Sequence, residues 1–386
     1  SVSWSLTRQQ FGEQPYWAVV ALAAILGQMG KPGGGVAFGY TVTNYLGNNV
    51  FNMPYAALPQ GKNSVDDFIP VARVSDMLLN PGQTFEYDGQ QYAYPDIDLV
   101  YWAGGNPFHH HQNLSRMRKA WEKPSTIIVN EWCWNAMARH ADIVLPCTTP
   151  LERRDLGMNP RDPYVISMEK AIEPIGKARD DYDIFSAIAR RMDVEDAFTD
   201  GRSAEDWQRW IWEKSSEKAA ELNINMPSYE SFREACFYKS PDLAEDRVFL
   251  SEFFSDPQAN PLGTPSGKIE IFSQIIDSFN YDDCRGHPIW LEPSEWLGTP
   301  DKRYHLHLLS NQPRNKLHSQ MDHGEYSLSI KIKGHEPVEI NPEDATARSI
   351  NNGDIVRVFN DRGACICGAF ITEDVMPGVV IISTGS

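Results

Sequence analysis

Residues 98–142 constrain the fold more than any other stretch. An apolar run, Leu99-Val100-Tyr101-Trp102-Ala103, ends in Gly104-Gly105-Asn106-Pro107-Phe108-His109-His110-His111. A helical segment follows. A second run, Thr126-Ile127-Ile128-Val129, stops at Asn130-Glu131, and a third, Asp142-Ile143-Val144-Leu145, is closed by Pro146. Short apolar runs alternating with helical segments predict a parallel sheet with right-handed crossovers. The order strand, tight turn, helix, strand, acid is half of a nucleotide-binding α/β unit.

The end of the first run is where chemistry is expected. It points at a helix N-terminus, where unpaired backbone N–H groups favour anions. Gly104 and Gly105 let a diphosphate lie against the backbone, and Asn106 can cap the helix or bond a ligand oxygen. The loop is not GxGxxG, so an ordinary NAD site is not expected. Glu131 ends the next strand, where an acid reads a ribose or base in such folds; a solvated acid is the plainer reading. Consecutive histidines on a helix point in different directions, so direct metal ligation by His109, His110 and His111 is not expected. A hydrogen bond from one of them to a phosphate or a fused-ring cofactor is.

Two further polar groups stand out. Glu152-Arg153-Arg154-Asp155 follows the third run. An arginine there can pair with phosphate, and a carboxylate can read the N–H edge of a guanine or pterin. A surface ion-pair cluster is the alternative. Ser310-Asn311-Gln312-Pro313 and Leu317-His318-Ser319-Gln320 lie where a β domain begins, a natural place for ligand contacts; loop polarity alone also accounts for them.

Composition narrows the function class. A chain of 386 residues implies two or three domains. The net charge of −17 leaves no excess of Lys and Arg to neutralise a nucleic-acid backbone, so no nucleic-acid partner is expected. It leaves room for an anionic cofactor held by local positive groups. Eleven Trp is a high count, in keeping with a large organic cofactor, though core filling accounts for most of them. The six cysteines form no CxxC pair, so neither a zinc site nor an iron–sulfur cluster built from this chain is expected. Cys365 and Cys367 are expected on one face of a strand through packing alone. No apolar run is long enough for a membrane span. Neither GxSxG nor a Walker A loop is present. Ser1 opens without Met inside polar sequence, and Ser386 follows Val379-Val380-Ile381-Ile382, a strand with no closing element; a fragment of a longer protein is expected.

Taken in order, residues 4–8 read as a polar loop and residues 12–27 as a helix, ended by the glycines at 33–35. Residues 36–95 read as a long irregular insertion with a helix near 71–79. A helix starts at Asp180-Asp181 with Tyr182, Phe185, Ile188, Ala189 and Met192 as its apolar face. Residues 203–240 are predicted helical with Trp207, Trp210 and Ile211 on one face, and Thr264-Pro265-Ser266-Gly267-Lys268-Ile269-Glu270 a turn into a strand. From Tyr304 onward the pattern is β, with strands at 305–309, 338–340, 355–358 and 365–371. The expected fold is α/β: Rossmann-like parallel-sheet domains with helices, followed by a truncated, β-barrel-like C-terminal domain. The expected divisions are 1–95, the end of an α/β cofactor-binding domain with its insertion; 96–200, a Rossmann-like segment; 201–300, helical and connecting; and 301–386, the incomplete β domain.

Several motifs, in order along nearly the whole chain, carry a family resemblance. They are Trp4-Ser5-Leu6, Gly12-Glu13-Gln14-Pro15-Tyr16-Trp17, residues 104–112, Ala138-Arg139-His140-Ala141-Asp142-Ile143-Val144-Leu145-Pro146, Leu151-Glu152-Arg153, residues 264–270, Ser310-Asn311-Gln312-Pro313, Leu317-His318-Ser319-Gln320 and Gly353-Asp354-Ile355-Val356. The chain resembles the molybdopterin oxidoreductases of the dimethyl sulfoxide reductase family, most closely the branch of dimethyl sulfoxide, trimethylamine N-oxide and biotin sulfoxide reductases. The resemblance implies a bis(molybdopterin guanine dinucleotide) cofactor with one molybdenum, and oxygen-atom transfer from a small S-oxide or N-oxide. It implies an electron donor such as a cytochrome or small redox protein, and a bacterial protein of periplasm or cytoplasm. By matching positions, Gly104, Gly105, Asn106 and His109 would meet one cofactor half, and Glu131, Arg153, Asp155 and Asp181 its guanosine or phosphates. Trp4 and Ser5 would meet the other half, and Ser310, Gln312, His318 and Gln320 would hold the pterins. The family branch binds molybdenum through a serine that would precede this chain, so no catalytic or metal-ligating residue is assigned here and the chain alone is expected to be inactive. A formate dehydrogenase or nitrate reductase of the same fold, or a non-catalytic scaffold subunit of an electron-transfer complex, stays open as an alternative.

Overall fold

The computed structural model describes residues 2–39, 46, 51–242, 246–300 and 303–385. The chain divides into two compact units, each drawn from two stretches: 1–66 with 146–291, and 67–145 with 292–386. Part of the expected insertion, at 40–45 and 47–50, lies outside the described residues.

Trp4–Arg8, expected as a loop, is a 3-10 helix whose start is capped by the Ser3 hydroxyl. The helix α1 (Glu13–Ile25) follows as expected. Its buried Gln14 takes a hydrogen bond from the Ile289 backbone, 3.0 Å away, so a polar side chain ties this helix to its unit. In the second unit the insertion resolves into α2 (Val74–Leu79) and a hairpin of β1 (Thr84–Tyr87) and β2 (Gln90–Ala93). The hairpin turn is Asp88-Gly89, with φ of +52° and +72°. Asp-Gly tolerates both positive angles, which match the strand twist.

The α/β segment follows its sequence closely. Strands β3 (Leu99–Ala103), β4 (Thr126–Glu131) and β5 (Ile143–Pro146) form one sheet in that order, with β3 and β4 parallel. Helix α3 (Leu114–Trp121) is the crossover, capped by the Asn113 side chain, and α4 (Ala136–Arg139) is capped by Asn135. The core beneath the sheet is Leu78, Phe108, Met117, Ala120, Trp121, Ile127, Val129, Met137 and Ala138. Met117, Ala120 and Trp121 are its helical stripe, at the three-and-four spacing that puts residues on one helix face. Asp142 pins the register, because its carboxylate accepts the Ile127 N–H at 2.8 Å.

The other unit carries a sheet that the sequence pattern does not announce. Strands β6 (Asp155–Gly157), β7 (Tyr164–Met168) and β8 (Phe237–Lys239) are antiparallel. Helix α5 (Asp181–Arg191) starts where expected, but buries Ile184, Ser186 and Ala189, while Met192 is 67% exposed just past its end. After the short α6 (Glu195–Thr199) comes α7 (Ala204–Glu221), opened by a capping box of Ser203 and Asp206. Its buried stripe is Trp212, Ser215 and Ala219, not Trp207, Trp210 and Ile211. Trp212 wins the face because it stacks on Phe232 of α8 (Tyr229–Ala235), ring centroids 3.8 Å apart, over Val165 of β7. The predicted strand after Thr264 does not form: residues 264–267 turn, and a short helix, Gln274–Ser278, follows.

The C-terminal β domain is a five-stranded mixed sheet. It contains β9 (His307–Leu309), β10 (Pro337–Ile340), β11 (Ile355–Asn360), β12 (Gly363–Ile371) and β13 (Val379–Ile381), in the spatial order β11-β12-β10-β13-β9. β10 runs parallel to β12 and antiparallel to β13, and β13 is parallel to β9. Val338, Ile340, Ala345, Cys367 and Val380 form its core. Among the described residues, no helix is long and apolar enough to cross a membrane.

Candidate functional site

The site is built first at the end of β3. Gly104 and Gly105 hold φ of +87° and +77°, a conformation that disfavours any side chain. A Cβ on either would meet nothing within 4 Å, so this backbone borders open space. Asn106 then starts a short 3-10 helix, Pro107–His109, by accepting the Phe108 N–H at 3.2 Å. That uses its oxygen only. Its Nδ2 is buried and has no hydrogen-bond partner. A buried donor left in that condition costs about 1–3 kcal/mol, and such groups in native structures call for a missing partner.

His109 repeats the pattern three residues on. Its Nδ1 is also buried without a hydrogen-bond partner. Burial lowers the pKa of His109, against an opposing pull from the Gly385 backbone. Burial likewise lowers His110 and His111, with like-charge neighbours adding to the effect. All three rings are therefore biased to the neutral form, with one donor and one acceptor nitrogen each.

The second wall comes from the loop before residue 322. The His318 ring lies 5.0 Å from the His110 ring, centroid to centroid. His318 itself sits at φ +51°, in a turn closed by the Gln320 N–H donating to the Leu317 carbonyl at 2.9 Å. Gly385 lies against this turn: a Cβ there would run into the His318 carbonyl group. Only glycine allows that approach, and its φ of +77° makes the same demand. Ser310 and Gln312 are exposed and turn to the end of the chain, the Ser310 hydroxyl donating to the Ile382 carbonyl at 3.0 Å and Gln312 accepting from Thr384 at 3.4 Å. Gln320 is exposed.

Two residues of this wall escape a reading of the sequence. Lys316 has a fully buried side chain whose ammonium bonds Asp322 at 2.5 Å and Glu336 at 3.3 Å. Lys331 completes the cluster at 2.8 Å from Asp322. Burial pushes the Asp322 carboxyl up, but the hydrogen bonds from Lys316 and Lys331 more than offset that and hold it below its ordinary value. Asn315 carries a further buried Nδ2 without a hydrogen-bond partner. Nothing in a loop sequence marks a lysine as buried, because its partners lie six and more residues away with no helical spacing.

Glu131, at the end of β4, is buried and occupied. Its Oε1 accepts the Trp132 N–H at 2.9 Å and its Oε2 the Asn135 amide at 2.6 Å, so it braces the turn into α4.

The remaining residues singled out by their motifs belong to the other unit. Arg153 donates to the Thr148 carbonyl at 2.8 Å and to Asp155 at 3.2 Å. Asp155 also accepts the Leu156 N–H, at 2.9 Å. Asp181 is the first residue of α5; its neighbour Asp180 accepts from the Thr148 hydroxyl at 2.7 Å. Glu152 is buried, and backbone hydrogen bonds from Thr149 and Ile175 hold its pKa below the ordinary range. Trp4 is half exposed and stacks on Phe38 at 4.8 Å, while Ser5 bonds Ser3. Phe38 lines a cleft of about 620 Å³ with Gly12, Tyr16, Trp17 and Val20.

Comparison with known proteins gives a consistent result. The family model for "Molybdopterin oxidoreductase" matches residues 1–191, and that for "Molydopterin dinucleotide binding domain" matches residues 306–386. The chain is 45% identical over 387 residues to a biotin sulfoxide reductase of Cereibacter sphaeroides, covering 100% of this chain and 52% of that protein. It is 43% identical to a dimethyl sulfoxide/trimethylamine N-oxide reductase of the same organism, covering 100% and 48%. It is 40% identical to a trimethylamine-N-oxide reductase of Haemophilus influenzae, covering 99% and 48%. The chain thus spans about half the length of the curated relatives it matches. Among solved structures, acetylene hydratase from Pelobacter acetylenicus shares the fold, with a TM-score of 0.57 at 19% identity over 76% of this chain and 37% of that one.

Proposed function

The chain belongs to the molybdopterin oxidoreductases of the dimethyl sulfoxide reductase family, and on that premise we propose that it positions the cofactor of an S-oxide or N-oxide reductase. The two matched domains imply a molybdenum bis(molybdopterin guanine dinucleotide) cofactor. The residues fit such a group: the observation that carries the reading is the pair of buried, unpartnered nitrogens, Asn106 Nδ2 and His109 Nδ1, in the residues that follow a glycine turn bordering open space. When bound, the molybdenum centre supplies the two-electron chemistry that takes oxygen from a small S-oxide or N-oxide, with electrons from a cytochrome or small redox protein.

The chain's own residues bind and orient. The Gly104 and Gly105 N–H groups offer donors for diphosphate oxygens. Asn106 donates its free amide hydrogens, at no desolvation cost beyond what folding has already incurred. His109, held neutral, offers a nitrogen to a pterin or phosphate without adding charge. His318 and Gln320 serve the pterins from the β domain, with Ser310 and Gln312 holding the chain beside them. Arg153 and Asp155 serve guanosine or phosphate by exchanging their mutual ion pair for the ligand, Asp181, Trp4 and Ser5 serve the remaining arms, and Glu131 acts from behind by bracing the turn into α4.

Asn106→Ala and His318→Ala, made in the enzyme at its relatives' full length and expressed in a molybdenum-competent host, test this. Molybdenum and guanine nucleotide content should fall about tenfold or more in each, the loss of roughly one charge-assisted hydrogen bond, with the circular dichroism spectrum unchanged. Wild-type cofactor content in both variants would refute the reading.

A further inference from the structure

Cys365 and Cys367 lie two residues apart on β12, so their side chains share one face of the strand. Their sulfurs stand 3.8 Å apart. Cys365 is exposed, whereas Cys367 is buried within the β-domain core, opposite Val356 on β11. Packing alone places the two thiols on one face; it does not require them to meet. Two thiolates bound to one tetrahedral zinc ion at about 2.3 Å each are separated by roughly 3.8 Å, and a larger d10 ion holds them slightly further apart. The free protein already holds that spacing, so chelation needs no movement of the strand.

We propose that Cys365 and Cys367 form a dithiol clamp for a soft divalent d10 cation, both sulfurs serving as ligands. The electrostatics agree. The hydrogen bond between the thiols brings the Cys365 pKa down to about 7 and pushes that of Cys367 up. Metal binding takes both sulfurs as thiolates and displaces the protons they carry. Among the described residues no group of three His, Cys, Asp or Glu could hold a metal, so the clamp has two open positions and is not a closed structural site. Sulfur-only ligation selects cadmium over magnesium or calcium.

The test is a cadmium titration of the full chain with a phosphine reductant, followed by the thiolate-to-metal charge-transfer absorption. The other four cysteines are accounted for by difference against Cys365→Ser/Cys367→Ser. Wild type should bind one more equivalent than this double variant. Cys365→Ser, at an exposed position that leaves the core intact, should by itself weaken that equivalent at least about tenfold, and Cys236→Ser should leave it unchanged. Equal stoichiometry in wild type and double variant, or an unaffected Cys365→Ser titration, would each overturn the clamp.

Discussion

Two polar loops follow strand ends in this molecule, and they use their polar atoms in opposite ways. After β3, the residues at 104–109 leave an amide and an imidazole nitrogen buried without hydrogen-bond partners, next to glycine backbone in open space. After β5, the residues at 148–155 satisfy one another: Glu152 takes three hydrogen bonds, and Arg153 ties Thr148 to Asp155. The first loop is short of partners that a ligand can supply. The second is complete as it stands and must exchange contacts to take part. A sequence rich in Arg and Asp therefore points less surely to a built ligand site than a buried asparagine does.

The contrast can be tested, starting with the largest effect. Lys316→Met removes the buried cation behind the histidine turn and leaves Asp322 and Glu336 short of a partner. Unfolding free energy by denaturant should fall about 3 kcal/mol, the cost of breaking a buried pair on one side; a loss under about 1 kcal/mol would show the cluster to be hydrated. Arg153→Ala in the self-satisfied loop should cost about 1.5 kcal/mol, since a charged hydrogen bond to a carbonyl is lost at a partly exposed site. Asn106→Ala should change stability by no more than about 1 kcal/mol, because the lost cap on Phe108 is offset by removing an unsatisfied donor. If Asn106→Ala proved more destabilising than Arg153→Ala, the two loops would not differ in the way proposed.

Acid gives the smallest and most selective effect. His109, His110 and His111 have folded pKa values below the ordinary 6.5. The unfolded chain therefore binds protons first, so their contribution is complete above about pH 6.5 and declines as pH falls below it. Glu152 has a folded value below 4.5, so its contribution persists until pH drops below that point. Hydrogen exchange at pH 5.5 should show faster opening around residues 107–111 than at pH 7.5, with residues 149–152 unchanged once intrinsic rates are corrected. Equal changes in both segments would remove the pH distinction between them.

The α/β half of the fold is legible in the sequence because its signals are local. Apolar runs ending in Gly104-Gly105 and in Asn130-Glu131 mark β3 and β4 within two residues. The β1–β2 hairpin is hidden although Asp88-Gly89 announces its turn, because the surrounding Tyr and Gln obscure the alternation. Tryptophan positions suggest one face of α7, yet the buried one is Trp212, chosen by its stack on Phe232, a partner the local pattern does not contain. At the site, Asn106 and His109 stand out in sequence as members of a glycine-led turn. Asn315 and Lys316 do not, because their importance comes from burial set by residues 322, 331 and 336.

The place of β13 has a consequence for the order of assembly. This strand fills the gap between β10 and β9, the latter far earlier in the chain, and the residues after it wall the His318 turn through Gly385. Pairings between such distant segments require closing a long loop before any contact rewards it, which makes them slow. The β3 loop, made from neighbours in sequence, can take shape early; the histidine turn lacks its Gly385 wall until β13 docks. The Gly385 wall is therefore expected to be the last part of this cradle to form.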